Sequence, residues 1–123
     1  MGINTKNLSD GTGSYTLSVN GKIRANEVRV YTGWADYVFE NDYKLRPLQE
    51  VESYIQQNKH LPDVPSAKVV EKDGILVGEM NATLLRKVEE LTLYMIEANK
   101  AIKDLQEKVE ILQKENKSLK GKK

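Results

Sequence analysis

The sequence predicts an α+β chain with short β-strands at its amino end, a small mixed collar, and a long carboxyl-terminal α-helix that forms a parallel coiled coil. Three observations predict it. Residues 84–119 carry an unbroken heptad seam, alternating apolar residues flank Asn20-Gly21, and a cluster of large aromatic residues lies between them in a segment punctuated by prolines. At 123 residues the chain has room for one small domain and a long helix, but not for two ordinary globular cores. Hydrophobic residues make up 39% and charged residues 30%, the bias of a chain spending much of its length as solvated coiled coil.

Residues 1–32 read as a flexible start followed by short strands of a fibre-like stem. Gly, Ser, Asn and Asp dominate residues 1–14, so little order is expected there. Tyr15, Leu17 and Val19 alternate with polar residues, and Asn20-Gly21 followed by Ile23 and Ala25 gives a hairpin signal with the favoured turn dipeptide. Glu27-Val-Arg-Val offers a further strand. With one apolar face each, such strands are marginal unless they pair or stack across subunits.

Residues 33–80 read as the collar. Its expected core is Trp34, Tyr37, Phe39 and Tyr43, with Tyr54 further on, because a domain this small needs its large side chains inside. Pro47 followed by Leu48, Val51, Tyr54 and Ile55 predicts a short amphipathic helix with proline in its first turn, ending near Asn58. His60-Leu-Pro-Asp-Val-Pro must extend or turn, since two prolines three apart exclude a helix. Val69, Val70, Asp73-Gly74, Ile75 and Val77 suggest a small hairpin or bend.

Residues 81–119 read as the coiled-coil helix, with Asn81 as N-cap, and residues 120–123 as a basic tail. The oligomer seam is Leu84, Val88, Leu91, Met95, Ala98, Ile102, Leu105, Val109 and Leu112, with Asn116 and Leu119 in phase. Such a stripe is too narrow for one chain to bury alone, so the expected partner is the chain itself. Up to Ile96 the helix adds Leu85, Leu93, Tyr94 and Ile96 off the seam, a wide face for the collar to cover. Beyond Ala98 only the seam remains, apart from Ile111. The a positions Val88, Met95, Ile102, Val109 and Asn116, with mostly leucine at d, lean toward a parallel dimer, although Met95 and Ala98 are typical of no particular state.

The 19 basic and 18 acidic residues create no overall field for nucleic acid or an anionic membrane, and neither is an expected partner. The closing lysines suit a solvated tail at the negative end of the helix dipole. The absence of cysteine removes disulfides and thiolate metal sites. No cofactor or metal is expected: His60, the one histidine, has no second ligand type at metal spacing and reads as structural or solvent-facing. Asp36, Glu40 and Asp42 lack a phosphate loop or other catalytic context and read as turn or ion-pair residues. No run reaches a membrane-spanning length, and Met-Gly-Ile-Asn-Thr is not an export signal. The expected context is the tail end of a longer polypeptide.

Three segments in order, Gly33-Trp-Ala-Asp-Tyr-Val-Phe-Glu-Asn-Asp-Tyr-Lys-Leu, then Asn58-Lys-His-Leu-Pro-Asp-Val-Pro-Ser, then Val77-Gly-Glu-Met-Asn-Ala-Thr-Leu-Leu leading into the heptads, resemble a known carboxyl-terminal module. The chain is similar, over about residues 33–112, to the intramolecular chaperone domain of endosialidases and phage tail fibres, in the variant frequent in Bacteroidetes phage-like and surface proteins. Leu17-Ser-Val-Asn-Gly-Lys-Ile-Arg-Ala is similar to the strand repeats that precede this module.

The resemblance implies a homotrimer rather than a dimer, a partner in the preceding β-structured fibre segment, and a place on a virion tail or cell surface within a larger assembly. Many relatives release the module by autoproteolysis at a serine directly before an aspartate, with a lysine about five residues after that serine. The aspartate corresponds to Asp36, but the serine position holds Ala35 and the lysine position Glu40. No catalytic residue is therefore expected, because a hydroxyl nucleophile and an amine base are both missing. The expected function is a trimerisation and folding-chaperone module that stays attached. A coiled-coil adaptor without a chaperone role is the alternative reading.

Overall fold

The computed structural model describes residues 1–34 and 36–121, so Ala35 and the last two lysines of the basic tail lie outside the described residues. Most of the regular secondary structure is one long helix, joined by two short helices and two very short strands. In chain order these are β1 (Gly2–Ile3), β2 (Ser18–Val19), α1 (Leu48–Asn58), α2 (Ala67–Asp73) and α3 (Val77–Gly121). The chain divides into two compact units, Met1–Val30 and Tyr31–Lys123.

In the first unit β1 and β2 pair in parallel, Gly2 with Ser18 and Ile3 with Val19. This replaces the hairpin expected around Asn20-Gly21. The expected partner strand with Ile23 and Ala25 has no apolar layer to pack on, Ile23 being 71% exposed, and a lone hairpin is marginal. Residues 27–30 form no strand for the same reason. Conversely, residues 1–14 are more ordered than their composition suggests. The Asp10 carboxylate accepts from the Thr12 N–H at 2.7 Å, the Thr12 hydroxyl at 2.6 Å, the Gly13 N–H at 3.0 Å and the Tyr15 hydroxyl at 2.8 Å. That Asx-type knot closes a loop bridged between Ser9 and Ser14.

In the second unit α1 starts directly after Pro47, whose φ of −59° suits a helix start, and carries Glu50 in its first turn where the helix dipole favours an acid. It stops at Lys59, which adopts a left-handed conformation (φ 61°) and donates its N–H to the Ile55 carbonyl at 2.8 Å. Leu61-Pro62-Asp63-Val64 then turns sharply. Val64 N–H donates to the Leu61 carbonyl at 3.3 Å and Asp63 has φ 64°, the geometry of a type II turn with proline at its second position.

The next segment corrects the expected hairpin or bend over Val69–Val77. Ser66 caps helix α2 by accepting the Val69 N–H at 3.4 Å, and Gly74 (φ 69°) closes it. Asp73-Gly74 is a helix C-cap and not a strand turn, because both structures demand positive φ at glycine and only the preceding Ser66 cap distinguishes them. Helix α3 also begins earlier than expected, at Val77. Asn81 is therefore an internal helical residue and not the N-cap.

Candidate functional site

Helix α3 is 45 residues long, about 68 Å at the standard rise. Its first four turns are held by the collar on one side only. Leu85, Arg86, Lys87, Glu90, Leu93 and Tyr94 are half-buried, while every large seam residue stays exposed, from 48% at Leu84 to 68% at Met95. At 100° per residue the collar-facing positions 86, 90 and 93 lie roughly opposite 84, 88, 91 and 95, so the collar leaves the seam free. Beyond Ala98 the seam residues Ile102, Leu105, Val109 and Leu112 continue uncovered on the bare helix. An open groove lined by Ile102, Leu105, Gln106, Val109 and Glu110 runs along this part.

The collar grips α3 through polar tips more than through an apolar core. Tyr43 donates its hydroxyl to Glu90 Oε1 at 2.9 Å, Arg86 Nη1 donates to the Tyr37 hydroxyl at 3.2 Å, and the Tyr94 hydroxyl donates to the Arg46 carbonyl at 2.6 Å. The Tyr37 and Tyr43 rings sit 5.7 Å apart and tilted. Burial, reinforced by the hydrogen bond to Glu90, pushes the Tyr43 phenol up to about 12, and burial likewise raises Tyr94.

Asp63, presented by its turn, lies 3.7 Å from Arg46, 3.9 Å from Arg86 and 3.6 Å from Lys87. Glu90 in turn approaches Arg86 at 3.9 Å and Lys87 at 3.7 Å. Asp63 is half-exposed and its separations are loose, so each of its pairs contributes well under about 1 kcal/mol. Their value lies in registering the turn over α3.

The expected aromatic core is corrected within the protomer. Trp34 and Phe39 are 57% and 58% exposed, Tyr37 is exposed and Tyr43 only half-buried. Among the described residues the buried large apolar side chain is Val38, at 2% exposure, and Pro62 and Gly78 are buried as well. Size is no guide here: the collar encloses a small β-branched side chain at Val38 and leaves the larger rings of Trp34 and Phe39 outside. Trp34 and Tyr37 instead line an open cleft of about 330 Å³ with Gly33, Ala82, Thr83 and Arg86.

Of the off-seam apolar residues, Leu85, Leu93 and Tyr94 are half-buried and Ile96 is exposed. Arg86, Lys87 and Glu90 were not anticipated as the gripping residues. Their spacing of three and four was a visible signal, but their distant partner Asp63 was not.

Comparison with protein-family models, curated proteins and solved structures finds no match. The residues and their geometry therefore carry the functional reading. His60 packs edge-on against Tyr54 and donates its Nδ1–H to the Leu61 carbonyl at 2.9 Å, a local structural role. Asp36, Glu40 and Asp42 are exposed. Among the described residues no three His, Cys, Asp or Glu side chains group to hold a metal, and no helix is long and apolar enough to cross a membrane.

Proposed function

We propose that this chain is a carboxyl-terminal trimerisation and folding module of a tail-fibre, spike or adhesin-like protein. One observation carries the reading: the collar packs on α3 opposite the seam, leaving about five heptads of apolar a and d residues uncovered from Leu84 to Leu119. The exposed apolar row from Leu84 to Leu119 is stable in water when copies of the chain cover it.

The order of motifs resembling the endosialidase-type chaperone family supports three copies. Nucleating three helices raises the local concentration of the preceding strands, whose pairing across chains is otherwise slow and prone to slip. The two-residue strands and exposed Ile23 and Val28 of the amino-terminal unit fit strands that await neighbours. Ala35 and Glu40 occupy the family's nucleophile and base positions, so the module stays attached.

Light scattering of the chain together with an intact subunit mass tests this reading. Three uncut chains are expected. A monomer at micromolar concentration refutes it, a shortened subunit restores autoproteolysis, and two chains favour the adaptor reading, which the β-branched a and leucine d residues support.

A further inference from the structure

The early start of α3 changes what Asn81 does. As an internal helical residue it falls in phase with Val88 at heptad position a, and Asn116 is the other asparagine at a. They lie 35 residues, or five whole heptads, apart and bracket a seam that is otherwise apolar. Both are exposed in the protomer, on the face that the collar leaves open. From this placement we propose that Asn81 and Asn116 form two polar layers that lock copies of this chain in parallel and in register. The inference rests on the oligomeric reading above and specifies its alignment.

The alternatives can be compared residue by residue. In the parallel, in-register arrangement each asparagine meets its own counterpart, and a side-chain amide, being donor and acceptor at once, satisfies another amide. An antiparallel arrangement that keeps the seam in phase packs a against d, setting Val88 opposite Leu112 and Leu91 opposite Val109. That alignment puts Asn116 against Leu84 and Asn81 against Leu119, which buries both amides on leucine without partners.

A parallel slip by one heptad sets Asn116 against Val109 and Asn81 against Val88, with the same result. The carboxyl-terminal heptad adds a second check. In register, Glu115 at g faces Lys120 at e of the neighbouring copy, whereas the one-heptad slip brings Lys120 beside Lys108. Of the remaining flanking positions, Lys87 meets uncharged Thr92 and Lys108 meets uncharged Gln113 in register, and Asn99, Ala101 and Gln106 carry no charge, so the asparagines carry most of the choice.

The chain contains no cysteine, so single replacements report alignment directly. Leu112→Cys mixed with Val88→Cys reads antiparallel pairing, and Leu112→Cys mixed with Leu119→Cys reads the slip, each in a glutathione redox buffer that lets disulfides exchange. Same-residue disulfides should exceed mixed ones by about tenfold or more, the ratio that a preference of about 1.4 kcal/mol gives. In an Asn81→Val, Asn116→Val background the assembly should melt higher while mixed disulfides rise toward parity. Unchanged same-residue pairing in that background, with the oligomer verified by light scattering, overturns the proposal. So does dominance of mixed disulfides in the chain with both asparagines. A chain that is monomeric with both asparagines in place removes instead the oligomeric reading beneath it.

Discussion

The Tyr94 hydroxyl donates to the main-chain carbonyl of Arg46 at 2.6 Å, joining residues 48 apart in sequence at the point where the chain turns into α1. A backbone acceptor cannot rotate away as a side chain can, so this bond fixes the start of α1 against the side of α3. Tyr94→Phe should lower collar stability by about 1 kcal/mol and speed amide exchange in α1, with the oligomeric state unchanged because Tyr94 lies off the seam. A melting temperature equal to that of the parent chain would show that the bond contributes nothing in water.

The seam is the complementary case. Leu91→Asp with Ile102→Asp places charges at two seam positions that are more than half exposed in the protomer. Each should cost about 3 kcal/mol or more on association, so light scattering should register monomers while the collar stays folded. Oligomers surviving both changes would exclude the seam as the interface.

Asp63 serves a turn and a charge cluster together, and replacements can separate the two. Asp63→Asn tolerates the left-handed backbone and removes the charge among Arg46, Arg86 and Lys87, whereas Asp63→Ala removes both. The alanine variant should be less stable than the asparagine variant by about 1 kcal/mol, read by thermal unfolding. Equal losses would mean that the charges, and not the turn, set the cost.

Tyr43 sets an alkaline limit. Its phenol is raised to about 12, so between about 10 and about 12 an unfolded chain ionises this group while the folded chain keeps it protonated. Its contribution is complete below about 10 and is lost as pH rises through that window. Tyrosinate absorbance should show a component titrating near 12 that disappears in Tyr43→Phe.

Asp10 sets an acid limit on the amino-terminal unit. Donation by the Thr12 hydroxyl first, then by the Thr12 N–H and the Tyr15 hydroxyl, holds its carboxyl down to about 2. A depressed carboxyl stabilises the fold above its unfolded value, and that contribution is lost as pH falls from about 4 to about 2. The Thr12 and Gly13 amide resonances should titrate near 2, and a midpoint near 4 would mean the knot does not form in solution.

Much of this architecture was legible because its signals are local. Strict four-and-three spacing identified α3 and its seam, and Pro47 with Leu48, Val51, Tyr54 and Ile55 identified α1. Both depend on periodicity and backbone sterics within a few turns. Signals shared by two structures were read wrongly. Asp73-Gly74 fits a hairpin as well as a helix cap, and Asn81 fits an N-cap as well as an internal seam position.

By itself, then, the sequence determined the long helix, its apolar stripe and the short helix after proline. Only the tertiary structure decided which face of α3 the collar takes, that Val38 and not Trp34 is buried, and that Asp63 reaches Arg46, Arg86 and Lys87. Those outcomes depend on how segments distant in sequence pack together, and a heptad pattern specifies a stripe on a helix without specifying what covers the opposite side.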